Sequence, residues 1–237
     1  MQKKILVLVA TLVFIFVSLF GFFTYSNNKN IELNNLKEQN KLDSNLKEKS
    51  SISKPDEKLL EKSKNKNCAK PVDSPLFMVY GINHLQYDEV NEDDLVLYGT
   101  MLVHKELSQA FKIMYNQAKK EGIELSILSG YRSVSSQKNI IQTRINNGEN
   151  EKEIYKSNAY AGYSEHHTGY AIDINDINAE FADSKEGKWV ASNSLKYGFR
   201  ISFPINNVQK LSFEPWHLRY IGSANAQKIF CYAEGLI

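Results

Sequence analysis

The sequence lacks a large basic surplus, a cysteine-based motif and a serine-hydrolase motif, and each absence argues against a class of protein. The formal net charge of the 237 residues is +2, so no nucleic-acid partner is expected. Cys68 and Cys231 lie too far apart for a Cys-x-x-Cys zinc or redox site. Outside the cell they could form one disulfide, and two unpaired thiols are the alternative. The absence of a Gly-x-Ser-x-Gly segment disfavours a serine hydrolase.

A long hydrophobic run near the N-terminus indicates a membrane segment. Lys3 and Lys4 precede an uncharged apolar stretch at residues 5–23. At about 1.5 Å per residue, this stretch can cross a hydrocarbon core of roughly 30 Å. A cleaved signal peptide is the alternative, but the run is long for one and no Ala-x-Ala-like cleavage site follows it. We therefore expect residues 1–23 to be a cytoplasmic tip and single-pass membrane anchor, with the remaining chain extracellular.

Residues 24–67 lack the apolar side chains that a folded domain needs. Asn, Lys, Glu and Ser dominate this stretch, and no aromatic residue follows Tyr25 within it. Because so polar a segment buries too little surface to offset its ordering entropy, it is predicted to be a flexible stalk. A short coiled coil through its leucines is the alternative. Residues 68–237 are then the folded domain.

Helical and strand patterns interleave in this domain without a regular β-α-β rhythm. Apolar residues recur at helical spacing at Leu107, Phe111, Met114 and Ala118. Further helices are predicted at residues 140–145, around Trp189 and Leu195, and at residues 223–234. Strands are predicted at residues 123–129 and 170–174, with Asp173 on the face opposite Ile172 and Ile174. The pattern indicates an α+β domain with a small, mostly antiparallel sheet flanked by helices.

Residues 164–173 form a polar segment that packing alone does not explain, reading Ser-Glu-His-His-Thr-Gly-Tyr-Ala-Ile-Asp. The spacing lets His166, at a loop end, and Asp173, on the following strand, converge on one point. Gly169 permits a close turn between them. An unpaired carboxylate buried among apolar neighbours would be costly or would shift its pKa, and a nearby cation is one remedy. A metal ion and an arginine partner are both compatible with this segment alone.

A second polar segment, residues 214–220, reads Glu-Pro-Trp-His-Leu-Arg-Tyr. Glu214 and His217 are three residues apart, which would place an imidazole on a metal and a carboxylate beside its bound water. A catalytic zinc site needs three protein ligands, an open position and a base that is not a ligand. Together the two segments offer His166, Asp173 and His217 as ligands and Glu214 as the base.

These segments, with a third one upstream, resemble the zinc D-alanyl-D-alanine carboxypeptidases of the VanY type. The resemblance extends from about Leu95 to Gly222. The matching positions are Ser164-x-His166-x-x-Gly169-x-Ala171-x-Asp173, Glu214-x-Trp216-His217-x-Arg219, Ser129-Gly130-Tyr131-Arg132-Ser133, Gln137, Trp189 and Tyr197-Gly198-Phe199. One departure is visible, since family members often have Arg-Tyr-Pro where this chain has Ser202-Phe203-Pro204.

The resemblance implies a role for each matching polar residue. The zinc ligands would be His166, Asp173 and His217. Glu214 corresponds to the catalytic base, and Arg132 to the arginine that stabilises the oxyanion. Ser164 and Gln137 fall where the family contacts its substrate. His167 occupies a variable position, so we expect it to lie beside the site or on the surface and not to bind the metal.

The resemblance also implies a function, namely a zinc-dependent D,D-carboxypeptidase that removes the terminal D-alanine from peptidoglycan stem peptides or their precursors. An L,D-carboxypeptidase acting on the tetrapeptide stem is the nearest alternative, because the motifs do not distinguish the two. A non-catalytic zinc module that binds wall peptides is a third reading, and the presence of Glu214 and Arg132 argues against it. An extracellular domain on an anchor and stalk suits a substrate fixed in the cell wall.

Overall fold

The computed structural model describes residues 74–207 and 209–235. The predicted anchor and stalk, residues 1–23 and 24–67, lie outside the described residues, as does Cys68. Cys231 is disulfide-bonded, which excludes the unpaired-thiol alternative for that residue. Within the described ranges, no helix has both the length and the apolar character that crossing a membrane requires.

Helices and strands interleave along the described part of the chain. Its α-helices, α1 to α6, span Phe77–Tyr80, Lys105–Lys120, Val134–Asn146, Glu151–Ser157, Lys185–Asn193 and Ala224–Gly235. Its strands, β1 to β6, span Leu95–Tyr98, Met101–His104, Ile127–Ser129, Ala171–Ile174, Phe199–Phe203 and Glu214–Tyr220. Short 3-10 helices lie at Glu92–Asp94, Glu165–Thr168, Ala179–Asp183 and Ser194–Tyr197.

The strands form two antiparallel sheets. Strands β1 and β2 pair as a hairpin, and the other four form a sheet in the order β3-β4-β6-β5. Every described pairing in the larger sheet is antiparallel. The predicted α+β fold with a small antiparallel sheet is therefore confirmed, although the hairpin, β5, β6, α1 and α4 were not predicted.

Helix α2 packs against one face of the larger sheet and supplies much of the core. The four apolar residues predicted at helical spacing are all fully buried, namely Leu107, Phe111, Met114 and Ala118. They belong to one cluster with Ile172 and Ile174 of β4 and Leu218 of β6. Because side chains alternate along a strand, this packing turns Asp173 and His217 to the opposite face of the sheet.

Two predicted elements are shorter than expected. The strand predicted at residues 123–129 is reduced to Ile127–Ser129. The Asn175 side chain accepts a hydrogen bond from Ser126 N–H and donates one to the Glu124 carbonyl, so a side chain replaces the strand ladder there. The helix predicted around Trp189 and Leu195 ends at Asn193, and a separate 3-10 helix follows.

Candidate metal centre

Strands β4 and β6 place two of the predicted ligands side by side. Asp173 and His217 are direct partners in the antiparallel pairing, and Asp173 Oδ1 lies 3.0 Å from His217 Nδ1. His166 lies in the 3-10 helix that precedes β4, with its Nε2 3.2 Å from Asp173 Oδ2. One ligand atom from each residue lies within 4.8 Å of the others, and all three residues are buried. The structure thus brings the predicted ligands together.

Hydrogen bonds on the far side of each imidazole orient the two rings. His166 Nδ1 lies 2.7 Å from the Gly130 carbonyl oxygen, and His217 Nε2 lies 3.1 Å from Glu165 Oε2. Each of these nitrogens faces an acceptor on the side away from Asp173, so it can keep its hydrogen while the nitrogen that faces Asp173 binds a metal. The resulting donor set of two imidazole nitrogens and a carboxylate fits a catalytic zinc ion with three protein ligands.

The charges at the centre are coupled even without a metal. Burial opposes ionisation of Asp173, but the neighbouring His166 and His217 hold the pKa of its carboxyl well below the usual range. Burial also opposes protonation of His217, yet hydrogen bonds to Asp173 and Glu165 raise the pKa of its imidazole to about 10. A positive charge is therefore favoured where these side chains meet, and metal binding must release a proton.

Glu214 lies at the start of β6, next to the ligand cluster but outside it. Its Oε2 is 3.9 Å from His217 Nδ1, too far for a hydrogen bond. Burial raises the pKa of Glu214 to about 7, and His217 and Arg132 oppose the rise. A carboxyl group with a pKa near neutrality can both accept and return a proton at physiological pH, as a general base must.

Arg132 reaches the same site from the turn before α3. Its guanidinium donates to Gln137 Oε1 at 2.8 Å and to Ser129 Oγ at 3.1 Å. Gln137 is fully buried and donates to the Ala159 carbonyl, so its described contacts hold Arg132 in place. A direct contact of Gln137 with substrate stays a prediction.

The other two polar residues of the first motif have structural contacts. Ser164 caps the 3-10 helix, because its hydroxyl accepts a hydrogen bond from His166 N–H, and it also lines the cavity where substrate would lie. His167 is fully buried and not on the surface. Its Nδ1 lies 2.6 Å from the Arg132 carbonyl, and its Nε2 accepts from Gly162 N–H. His167 therefore supports Arg132 and is not part of the ligand cluster.

A cavity of about 510 Å³ brings these groups to one surface. The ligands, Glu214, Arg132 and Ser164 all line it, and Tyr163, Phe203 and Trp216 contribute aromatic walls. Arg144 and Lys156 line it as well, each ion-paired with a glutamate. Its volume falls in the range of sites that enclose small ligands.

The sequence analysis did not predict that Glu165 contacts His217 and Arg219. This carboxylate is buried, and although burial opposes ionisation, Arg219 and His217 lower its pKa to about 2. The sequence offered one signal, namely that Glu165 adjoins the predicted ligand His166. Arg219 shares a face of β6 with His217 because the two are two residues apart, but β6 was not predicted.

The order and spacing of these residues agree with a known family. A family model described as VanY, D-alanyl-D-alanine carboxypeptidase, matches residues 100–223, just over half of the chain. The chain belongs to the VanY family. All the residues that were predicted to form the site lie within the VanY match, namely Arg132, Gln137, Ser164, His166, Asp173, Glu214 and His217.

Curated relatives are carboxypeptidases by name. The chain is 42% identical over 135 residues to the putative carboxypeptidase YodJ of Bacillus subtilis (strain 168), covering 54% of this chain and 49% of that protein. It is 32% identical over 145 residues to a D-alanyl-D-alanine carboxypeptidase of Enterococcus faecium, covering 60% of this chain and 45% of that protein. The chain thus spans about half the length of the curated relatives that it matches.

A solved structure shares the fold. The LdcB LD-carboxypeptidase is 32% identical to this chain, with a TM-score of 0.55, and the alignment covers 70% of this chain and 92% of that one. The VanY fold therefore occurs in a protein described as an LD-carboxypeptidase as well as in relatives described as D-alanyl-D-alanine carboxypeptidases.

Proposed function

We propose that this protein is a zinc-dependent D,D-carboxypeptidase that removes the terminal D-alanine from peptidoglycan stem peptides or their precursors. The observation that carries the proposal is the meeting of three ligand atoms with a separate buried carboxylate and a guanidinium around one cavity. Membership of the VanY family supports peptide hydrolysis, and the E. faecium relative supports D-alanyl-D-alanine as the group that is cut.

The chain's own residues divide the chemistry between a base and an oxyanion donor. Zinc held by His166, Asp173 and His217 would supply a Lewis acid that lowers the pKa of the attacking water from 15.7 toward about 7. Glu214 accepts the proton of the attacking water and returns it to the leaving amine as the peptide C–N bond breaks. Arg132 donates to the oxygen of the scissile carbonyl as its negative charge develops. Because Gln137 and Ser129 already hold the guanidinium, little reorganisation is needed.

The location that we propose follows from the N-terminal sequence. The apolar run at residues 5–23, preceded by two lysines, supports a single-pass anchor in the cell membrane with the enzyme domain outside. A stalk at residues 24–67 would let that domain reach stems that are fixed in the wall or carried on membrane-bound precursors.

An L,D-carboxypeptidase is the second candidate, because the LdcB structure is 32% identical and is described as an LD-carboxypeptidase. The purified full-length chain with zinc should be incubated separately with a pentapeptide stem ending in D-alanyl-D-alanine and with the matching tetrapeptide. We expect release of D-alanine from the pentapeptide, measured by mass spectrometry. Cleavage of the tetrapeptide alone would overturn the D,D assignment and support the L,D one. Binding of either stem without cleavage would support the non-catalytic alternative.

Replacing Arg132 with methionine tests the oxyanion donor. We expect kcat to fall by about 10²–10³-fold, the usual effect of removing one such donor. The zinc content should not change, because Arg132 is outside the ligand cluster. The matched control is Arg144→Met, which removes a second arginine from the cavity lining, one whose charge is paired with Glu149. Equal losses of kcat in the two variants would contradict the specific role of Arg132.

A further inference from the structure

Glu165 contacts a metal ligand from the side that faces away from the metal position. Its Oε2 lies 3.1 Å from His217 Nε2, whereas Asp173 faces the other ring nitrogen, Nδ1. Glu165 is only 3% exposed, and it is not among the residues whose ligand atoms cluster. The carboxylate is thus placed to act on the imidazole and not on the metal.

Three side chains fix the orientation of the Glu165 carboxylate. Ser202 Oγ donates to Oε2 at 2.6 Å, and the Arg219 guanidinium lies 3.1 Å from Oε1. Tyr87 donates to Oε1 at 3.4 Å. Arg219 and Ser202 are themselves buried, and Arg219 also donates to the hydroxyl and carbonyl oxygens of Ser202. Glu165 is therefore held against His217 by contacts on both of its oxygens.

The charge network extends from Arg219 to the last helix. Arg219 Nη1 lies 3.4 Å from Glu234 Oε1 of α6, and Glu234 Oε2 lies 2.8 Å from Arg200 Nε. The two carboxylates and two guanidiniums balance in charge. A purely structural explanation follows from this balance, in which Glu165 serves only to neutralise the buried Arg219. That explanation does not account for the contact between Glu165 Oε2 and the His217 imidazole.

We propose that Glu165 is a positioning residue that holds His217 with its hydrogen on Nε2, so that the Nδ1 lone pair is directed at zinc. A neutral imidazole can carry its hydrogen on either nitrogen, and a carboxylate on one nitrogen selects the tautomer, fixes the ring and makes the other nitrogen more basic. This inference rests on the zinc site of the proposed function. Its test measures metal binding separately from hydrolysis.

The test is the variant Glu165→Gln in the full-length chain. The amide has the same shape but no charge, and it can turn either its oxygen or its nitrogen toward the ring, so it does not select one tautomer. We expect the dissociation constant for zinc, measured by competition with a chelator, to rise by about 10–100-fold. Nitrogen chemical shifts of His217 in the zinc-loaded protein report the tautomer directly.

Glu234→Gln is the matched control, because it removes the other carboxylate beside Arg219 without touching His217. If Glu165 only balances Arg219, both variants will lower the unfolding temperature and neither will change the zinc affinity of the folded protein. Under our proposal, only Glu165→Gln weakens zinc binding. Wild-type zinc affinity in folded Glu165→Gln would overturn it.

Ser202→Ala provides a second variant in case Glu165→Gln does not fold. It removes the hydroxyl that holds Oε2 against His217 and leaves both charges of the Glu165–Arg219 pair. We expect a smaller loss of zinc affinity in the same direction, and unchanged affinity would overturn the proposal. Tight zinc binding without cleavage of either stem would instead count against the proposed function alone.

Discussion

Replacing Glu214 with glutamine is expected to lower kcat by about 10²–10⁴-fold while zinc remains bound. Glutamine is nearly the same size as glutamate but cannot take a proton from water. Glu214 lies 3.9 Å from His217 Nδ1 and outside the ligand cluster, so zinc binding should not depend on it. Zinc content and kcat on the pentapeptide stem, measured on the same preparation, separate the two effects.

The pH profile of the wild-type enzyme provides the companion measurement for Glu214. The base is active only when ionised, so kcat/KM should fall as pH drops through its pKa. Burial raises that pKa from 4.5 to about 7 in the protein without metal, and a bound cation lowers it again. The acidic limb should therefore lie between those two values. A variant with unchanged kcat, or a limb that persists in Glu214→Gln, would show that another group is the base.

Replacing Asp173 with alanine should abolish stoichiometric zinc binding and, with it, hydrolysis. Asp173 is the residue that faces both ligand histidines, at 3.2 Å from His166 Nε2 and 3.0 Å from His217 Nδ1. Its loss removes the only anionic ligand of the cluster. We expect the affinity to fall by more than the roughly 10–100-fold that follows loss of a ligand's outer hydrogen-bond partner. Metal analysis after gel filtration and chelator competition measure the change.

Asp176→Ala is the control for this substitution, since Asp176 is an exposed aspartate just beyond β4. It should bind zinc and cut the stem like the wild type. If Asp173→Ala retained one zinc per chain at wild-type affinity, the ligand assignment would be wrong. Circular dichroism of both variants distinguishes loss of the metal from loss of the fold.

The sequence was most informative where a local pattern alone determines which residues are buried or lie close together. The four apolar positions of α2 share one helical face, so their period alone predicts burial, and all four are buried. The meeting of His166, Asp173 and His217 was predicted as well. His166 and Asp173 are seven residues apart, His217 is three residues from Glu214, and the resemblance to the VanY family connected the two segments. Each pair therefore reaches the site through local backbone geometry.

Interactions between distant segments could not be predicted in this way. Glu165 is held by Ser202, which is 37 residues further along the chain, and nothing in either segment indicates the other. The strand predicted at residues 123–129 was too long for the same reason. The Asn175 side chain, and not a neighbouring strand, forms hydrogen bonds with the Ser126 N–H and the Glu124 carbonyl. Gln137 matches a family position that contacts substrate. Only the folded structure shows that its side chain is fully buried and hydrogen-bonded to Arg132.

The pairing of Asp173 with His217 has a consequence for how this site can change. A slip of β4 by one residue against β6 would turn Asp173 toward the apolar core while His217 stayed on the site face, so the backbone register sets the distance between two of the proposed ligands. The described residues of the chain that joins them, 175–207 and 209–213, take no part in that pairing with β4. Insertions and deletions in its loops can therefore change the cavity wall while the three clustered side chains keep their places. Substrate specificity could then evolve separately from the proposed metal centre.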